Sequence, residues 1–181
     1  MHSQARKEEQ GHTEATASEE AQCSDAVEGT RTIKKKWGRI TTNDVPGVPN
    51  KGGLLCGTDK SDDLDGKDGD DEIHGLGGKD SIDGGNGTDV IYAGPGDDAW
   101  LSGERGDDVI YGGDGNDYVA ADQGADVAYG GEGNDFLDGT LDHGQRDKLY
   151  CGEGRDEYRA DKNDYVDSSC ERKLGPAPVM Y

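Results

Sequence analysis

Residues 84–92 read "GGNGTDVIY": three glycines, one aspartate and an apolar end. So many positions given to residues that neither pack nor react make sense only if the pattern recurs, and it does. Aligned on Asp89, the surrounding stretches are "GKDGDDEIH", "GLGGKDSID", "AGPGDDAWL", "GGDGNDYVA", "ADQGADVAY", "GGEGNDFLD" and "CGEGRDEYR". Twelve aspartates keep the register: Asp62, Asp71, Asp80, Asp89, Asp98, Asp108, Asp117, Asp126, Asp135, Asp147, Asp156 and Asp164. Their spacings are 9, 9, 9, 9, 10, 9, 9, 9, 12, 9 and 8. Two residues after each comes Leu64, Ile73, Ile82, Ile91, Trp100, Ile110, Val119, Ala128, Leu137, Leu149, Tyr158 or Val166, all apolar or aromatic. A short fixed period of this kind marks stacked repeats that bury a core only together.

The composition agrees that an ordinary core is missing. In 181 residues, hydrophobic types make up 30%, Phe occurs once, Gly occurs 31 times and the net charge is -21. Such values lean towards disorder unless something besides apolar burial holds the chain. The charge is concentrated between Gly57 and Asp167, with 31 acidic and 9 basic residues, so the flanks are close to neutral. A polyanionic segment repels nucleic acid and anionic lipid and attracts metal cations or basic partners. Nucleic-acid binding is excluded on this ground. No run of about 18 apolar residues exists, so no membrane span is expected. Residues 1–30 lack the apolar region of a secretory signal, and no export route is legible.

The repeat resembles the RTX, or hemolysin-type, calcium-binding nonapeptide repeat G-G-x-G-x-D-x-U-x, over residues 57–167. That resemblance implies an all-β, right-handed parallel β-roll, a β-solenoid. The first six residues of each repeat form a metal-binding turn, the last three form a short strand, and two repeats complete a coil, giving about six coils. It also implies several bound Ca2+ ions. The expected metal-site residues are the twelve aspartates together with Gly69, Gly78, Gly87, Gly96, Gly106, Gly115, Gly124, Gly133 and Gly154.

The residue types suit that chemistry. Glycine permits positive φ and close backbone approach, which turns carbonyl oxygens inward. Calcium takes six to eight oxygen ligands from carboxylates and carbonyls alike. Coils stack about 4.8 Å apart. Carboxylates at ~5 Å repel by ~1 kcal/mol in water and ~3 kcal/mol at an effective dielectric of 20. About ten such pairs rival a whole domain's net stability of ~5 to 15 kcal/mol. The metal-free segment is therefore expected to be expanded, with metal binding and folding a single event. Weaker sites are expected near Asp62, where Lys60 replaces glycine, near Asp147, after three extra residues, and near Asp164, in a repeat one residue short.

Other readings fare worse. "SDDLDGKDGDDE", residues 61–72, places Asp63, Asp65, Gly66 and Glu72 as an EF-hand loop would, but Ser61 replaces the first aspartate and the flanks are not helical. His74 and His143 have no Ser or Cys partner at a recognisable elbow, so no enzyme activity is expected. The roughly 56 residues before the repeats are too few for the protease, lipase or toxin domain that often precedes them in this family. A fragment or accessory of an RTX-type enzyme or toxin is the alternative reading, and a disordered acidic calcium buffer is a third.

Cys23, Cys56, Cys151 and Cys170 form an even set with three possible pairings. Cys151 and Cys170 are 19 apart, near one coil of the implied roll. "CGEGRDEYRADKNDYVDSSCE" is similar to the closing segment of RTX-type proteins from Gram-positive bacteria, which favours Cys151 with Cys170 and Cys23 with Cys56. An extracellular or cell-surface location follows from the calcium chemistry.

The last strand position alternates with repeat parity. Even copies carry His74, Tyr92, Tyr111, Tyr129 and Tyr150, and odd copies carry Asp65, Asp83, Leu101, Ala120, Asp138 and Arg159. If the middle residue points inward, these point outward. The Tyr92/Tyr111/Tyr129 face, flanked by Val90, Val109 and Val127, is then a stacked ladder, a seat for Trp37, Ile40, Val45 and Val48, or a contact surface for a glycan, cell wall or protein partner. Trp100 falls at an inward position, where it either widens its coil or swings out at an irregular turn. Residues 1–50 are expected as a disordered arm with a basic "IKKKWGR" at 33–39, residues 51–170 as the roll and residues 171–181 as a tail.

Overall fold

The computed structural model describes residue 23 and residues 39–41, 52–141 and 144–175. The chain divides into two units, Met1–Thr32 and Ile33–Tyr181, and the strands among the described residues belong to the second.

Among the described residues, fifteen strands alternate between two parallel sheets. One holds β1 (Arg39–Thr41), β3 (Asp63–Asp65), β5 (Ser81–Asn86), β7 (Trp100–Arg105), β9 (Tyr118–Ala120), β11 (Phe136–Gly139), β13 (Glu157–Ala160) and β15 (Arg172–Lys173). The other holds β2 (Leu54–Thr58), β4 (Glu72–Leu76), β6 (Val90–Tyr92), β8 (Val109–Asp114), β10 (Val127–Gly133), β12 (Lys148–Gly154) and β14 (Tyr165–Val166). The result is a parallel β-solenoid of about seven turns. The twelve nonapeptides supply β3 to β14. The count exceeds the expected six coils because β1, β2 and β15 add rungs without an aspartate in register. β1 falls within the arm expected to be disordered. Its Ile40 stands against Leu64 in the odd-numbered sheet and not on the tyrosine face; Trp37, Val45 and Val48 lie outside the described residues.

The two sheets pack face to face and bury the sides they turn to each other. Leu55, Ile73, Ile91, Ile110, Ala128 and Leu149 stack in register in one sheet. Leu64, Ile82, Leu101, Val119 and Leu137 do so in the other. These side chains are at most 1% exposed, while Tyr158 and Val166 pack against the cluster half-buried. The core is thus two files of one side chain per rung. A side chain buried in this way contributes ~1.5 to 3 kcal/mol, which is little against the backbone entropy of nine ordered residues.

Of the two places open to it, Trp100 takes the outward one. It is 39% exposed, and Leu101 takes the inward place at 0%. Ala99 and Trp100 together oppose Ser81: Ala99 N–H donates to the Asp80 carbonyl at 2.9 Å, while Trp100 is the residue in register with Ser81. The extra residue of the ten-residue repeat is absorbed as a bulge in the strand, shifting the apolar residue one place along. Trp100 then stacks outside on Tyr118, with centroids 4.8 Å apart, and Tyr118 meets Phe136 at 5.0 Å. Ser102, not Leu101, joins the column of Asp83 and Ala120.

On the opposite face the even-copy ladder is continuous. His74, Tyr92, Tyr111, Tyr129 and Tyr150 stack ring on ring at 4.7 to 5.0 Å. The four tyrosines are half-buried, with their ring faces stacked in the ladder. His74, at 1% exposure, is buried despite its outer position, with Nε2 2.9 Å from Glu72. Cys151 is bonded to Cys170 with Cα atoms 4.9 Å apart, as the spacing suggested, and Cys23 and Cys56 are also in disulfide linkage.

Candidate metal centre

The aspartates form two columns along the roll. In one, the backbone N–H of Asp62 donates to Oδ1 of Asp80, Asp80 to Asp98, Asp98 to Asp117, Asp117 to Asp135 and Asp135 to Asp156, at 2.8 to 2.9 Å. In the other, Asp71 donates to Asp89, Asp89 to Asp108, Asp108 to Asp126, Asp126 to Asp147 and Asp147 to Asp164, at 2.7 to 3.2 Å. Each step crosses one coil. The second column runs unbroken past the three extra residues before Asp147, its step from Asp126 to Asp147 spanning 21 residues. Eleven of the twelve carboxylates are buried, with Asp89 and Asp147 at 0%, and Asp164 is half-buried.

One carboxylate oxygen is engaged in the ladder, and the other is aimed into the turn. Oδ2 of Asp80, Asp89, Asp98, Asp117, Asp135 and Asp156 is buried with no hydrogen-bond partner. What it faces is visible in the turns that begin with glycine. A Cβ on Gly84 would lie 2.7 Å from Asp89 Oδ2 and 3.0 Å from the Gly103 carbonyl. On Gly112 it would lie 2.5 Å from Asp117 Oδ2 and 2.5 Å from the Gly130 carbonyl. A carboxylate oxygen and a carbonyl from the next coil therefore converge on the volume that the absent side chain leaves. Among the described residues no three carboxylate, imidazole or thiol side chains cluster, so a cation here would draw much of its shell from carbonyls. A hard cation accepts such a shell, and the residues present fit one.

The nine glycines expected at the site occupy the fourth turn position and form two stacked spines. Gly69, Gly87, Gly106 and Gly124 make one, and Gly78, Gly96, Gly115, Gly133 and Gly154 the other. The approach is close enough to exclude any other residue: a Cβ on Gly106 would fall 1.4 Å from the Gly87 carbonyl oxygen, and φ at Gly106 is +137°. The first-position glycines, such as Gly84, Gly112 and Gly130, were missed in the sequence as site residues, although the leading G of each G-G doublet was the available signal.

The geometry at the ends differs from that in the middle. Asp62 Oδ2 accepts from both N–H and Oγ1 of Thr58 at 2.7 Å, and Asp164 Oδ2 accepts from Asp161 N–H at 2.5 Å. Both carboxylates are satisfied within their own turns.

Burial dominates the electrostatics. It pushes the carboxyls of Asp108 and Asp117 up to about 8, Asp80 and Asp135 to about 7, and Asp89 and Asp98 to about 6. The ladder N–H bonds pull the other way, and neighbouring carboxylates add a smaller push. The sequence argument placed the cost in mutual repulsion; the larger cause is removal of each charge from water. The remedy is the same in both cases, an inward-held cation.

Residues 57–91, 65–99, 97–128 and 119–145 match the family model of the RTX calcium-binding nonapeptide repeat, in four copies. No curated protein matches the chain.

Proposed function

Since the repeats of this chain are RTX calcium-binding nonapeptide repeats, a structural module whose cofactor is calcium, we propose that the Asp89-type carboxylates are the ligands and that their ions fold the roll. The observation that carries this is the row of buried Oδ2 atoms facing next-coil carbonyls. A buried carboxylate oxygen without a partner costs several kcal/mol if charged, and a divalent ion at that point removes the cost. The ligands are the aspartates from Asp71 to Asp156, with first- and fourth-position turn carbonyls. The internally satisfied Asp62 and Asp164 hold ions weakly or not at all.

The module works outside the cell, as a secreted or surface-attached structural or adhesive element. Two disulfides suit an oxidising compartment, and the free calcium required for such low-charge carbonyl shells is extracellular, where modules bind with Kd of roughly 10⁻⁴ to 10⁻³ M. The stacked ladder of Tyr92, Tyr111 and Tyr129 is the surface offered to a glycan, cell-wall or protein partner.

Calorimetric titration of the full chain tests the first part: calcium binds at several sites per chain with heat that includes folding, and magnesium does not reproduce it. Equal heats for both ions would contradict it. Replacing Tyr92, Tyr111 and Tyr129 together by Ser tests the second, since unchanged cell-surface binding at unchanged stability removes the adhesive role.

A further inference from the structure

The first aspartate column does not end at an aspartate. The backbone N–H of Asp156 donates to Oε2 of Glu171 at 2.6 Å, just as Asp135 N–H donates to Oδ1 of Asp156 at 2.9 Å. The strand register agrees: Glu157 stands against Arg172 and Tyr158 against Lys173, one and two residues beyond the Asp156–Glu171 rung. Arg172 N–H donates to the Asp156 carbonyl at 3.0 Å, as Glu157 N–H does to Asp135 at 2.9 Å. Glu171 thus occupies the aspartate's place in a thirteenth copy.

The nonapeptide pattern hides this copy for two reasons. Its turn is compressed, with a step of 15 residues where the other ladder steps span 17 to 21. A side chain one methylene longer makes up the reach. The turn is also held by different chemistry. Cys170, the residue before Glu171, is bonded to Cys151, the first residue of the facing turn, and Cys151 N–H donates to Ser169 Oγ at 3.1 Å. Lys173, in register with the inward Tyr158, is exposed, so this copy adds no apolar residue to the core. Its one feature in common with the others is the ladder acid. Opposite it, Asp156 is 1% exposed and its Oδ2 has no hydrogen-bond partner.

We propose that Glu171 is a calcium ligand, the terminal carboxylate of the column through Asp117, Asp135 and Asp156, and that with Asp156 it completes a last divalent-cation site fixed by the Cys151–Cys170 bridge. The inference rests on the calcium reading above. A capping role without metal is the competing explanation, and Glu171→Gln separates the two. Glutamine keeps an oxygen that accepts the Asp156 N–H but carries no charge, so a cap survives the change and a metal ligand does not.

The test counts calcium ions bound to the full, disulfide-intact chain by native mass spectrometry and equilibrium dialysis. Wild type and Arg172→Gln are expected to bind the same number, and Glu171→Gln one fewer. Equal numbers in Glu171→Gln and wild type overturn the inference and leave the calcium reading standing; a wild type that binds none sinks both. A measurement on the unmodified sequence guards against a variant that fails to fold. With glutamate carboxyls labelled with carbon-13, the Glu171 signal must shift on calcium saturation, and a fixed signal overturns the assignment.

Discussion

The backbone N–H of Asp98 meets Oδ1 of Asp117 at 2.9 Å across one coil, while the second oxygen of Asp117 is buried and faces the turn. One carboxylate therefore does two jobs: it ties adjacent rungs and presents a charge inward. Asp117→Asn keeps the first job and loses the second. It is expected to raise the calcium concentration needed for half-folding by roughly tenfold or more, about 1.4 kcal/mol. Asp62→Asn should shift it far less, since Thr58 already engages that oxygen. Far-ultraviolet circular dichroism against calcium concentration reads both, and equal shifts for the two variants would contradict the division of roles.

The pH dependence of the metal-free chain has a definite sign. Folded carboxyls near 6 to 8 compare with about 3.9 for an unfolded aspartate. A raised folded value stabilises the fold fully below the unfolded value, and the contribution disappears as pH rises through the folded one. Chelated protein should therefore compact on acidification and expand as pH rises through 6 to 8. Calcium affinity should run the other way, because the ion displaces protons. Small-angle scattering in chelator across this range checks the first claim, and a radius that does not change with pH would refute it.

Leu101 and Trp100 are neighbours with opposite duties. Leu101→Ala empties a core place and is expected to cost about 2 to 5 kcal/mol. Trp100→Ala loses chiefly its stack on Tyr118, about 0.5 to 1.5 kcal/mol. Thermal melts in saturating calcium rank them, and a larger loss at Trp100 would overturn the bulge register.

What the sequence made legible was whatever repeats once per rung. Asp89 and Ile91 recur at fixed offsets, so the aspartate and core positions could be read from spacing, while the parallel sheets followed from the resemblance to the RTX repeat. Leu101 could not, because spacing does not say whether an extra residue enters the turn or the strand. β1, β2 and β15 were hidden because pairing with a neighbouring rung requires no aspartate. Glu171 was hidden by a different acid in a shortened turn. Burial as the leading cause of the carboxyl shifts, and the convergence of Asp89 Oδ2 with the Gly103 carbonyl, depend on how successive coils overlie one another in three dimensions.

Glu104 occupies the second turn position with φ of +65°, where Gly85 and Gly113 stand in other turns. Left-handed backbone costs a side-chain-bearing residue about 1 to 2 kcal/mol, and part of that is offset because glycine loses more entropy on folding. Burial and the charges of Asp83, Asp65 and Asp122 also raise its carboxyl. Glu104→Gly should stabilise the loaded roll by about 1 kcal/mol, read as a higher melting midpoint; a lower midpoint would mean that this side chain makes a contact worth more than the strain.

Limited proteolysis and small-angle scattering of one sample, before and after chelation near neutral to slightly basic pH, measure the central claim most directly. The account predicts a compact, protease-resistant roll with calcium that becomes expanded and rapidly cleaved within residues 57–167 when the ion is removed, and recovers when it is restored. A chelated chain with the same radius and cleavage pattern as the loaded one would contradict it.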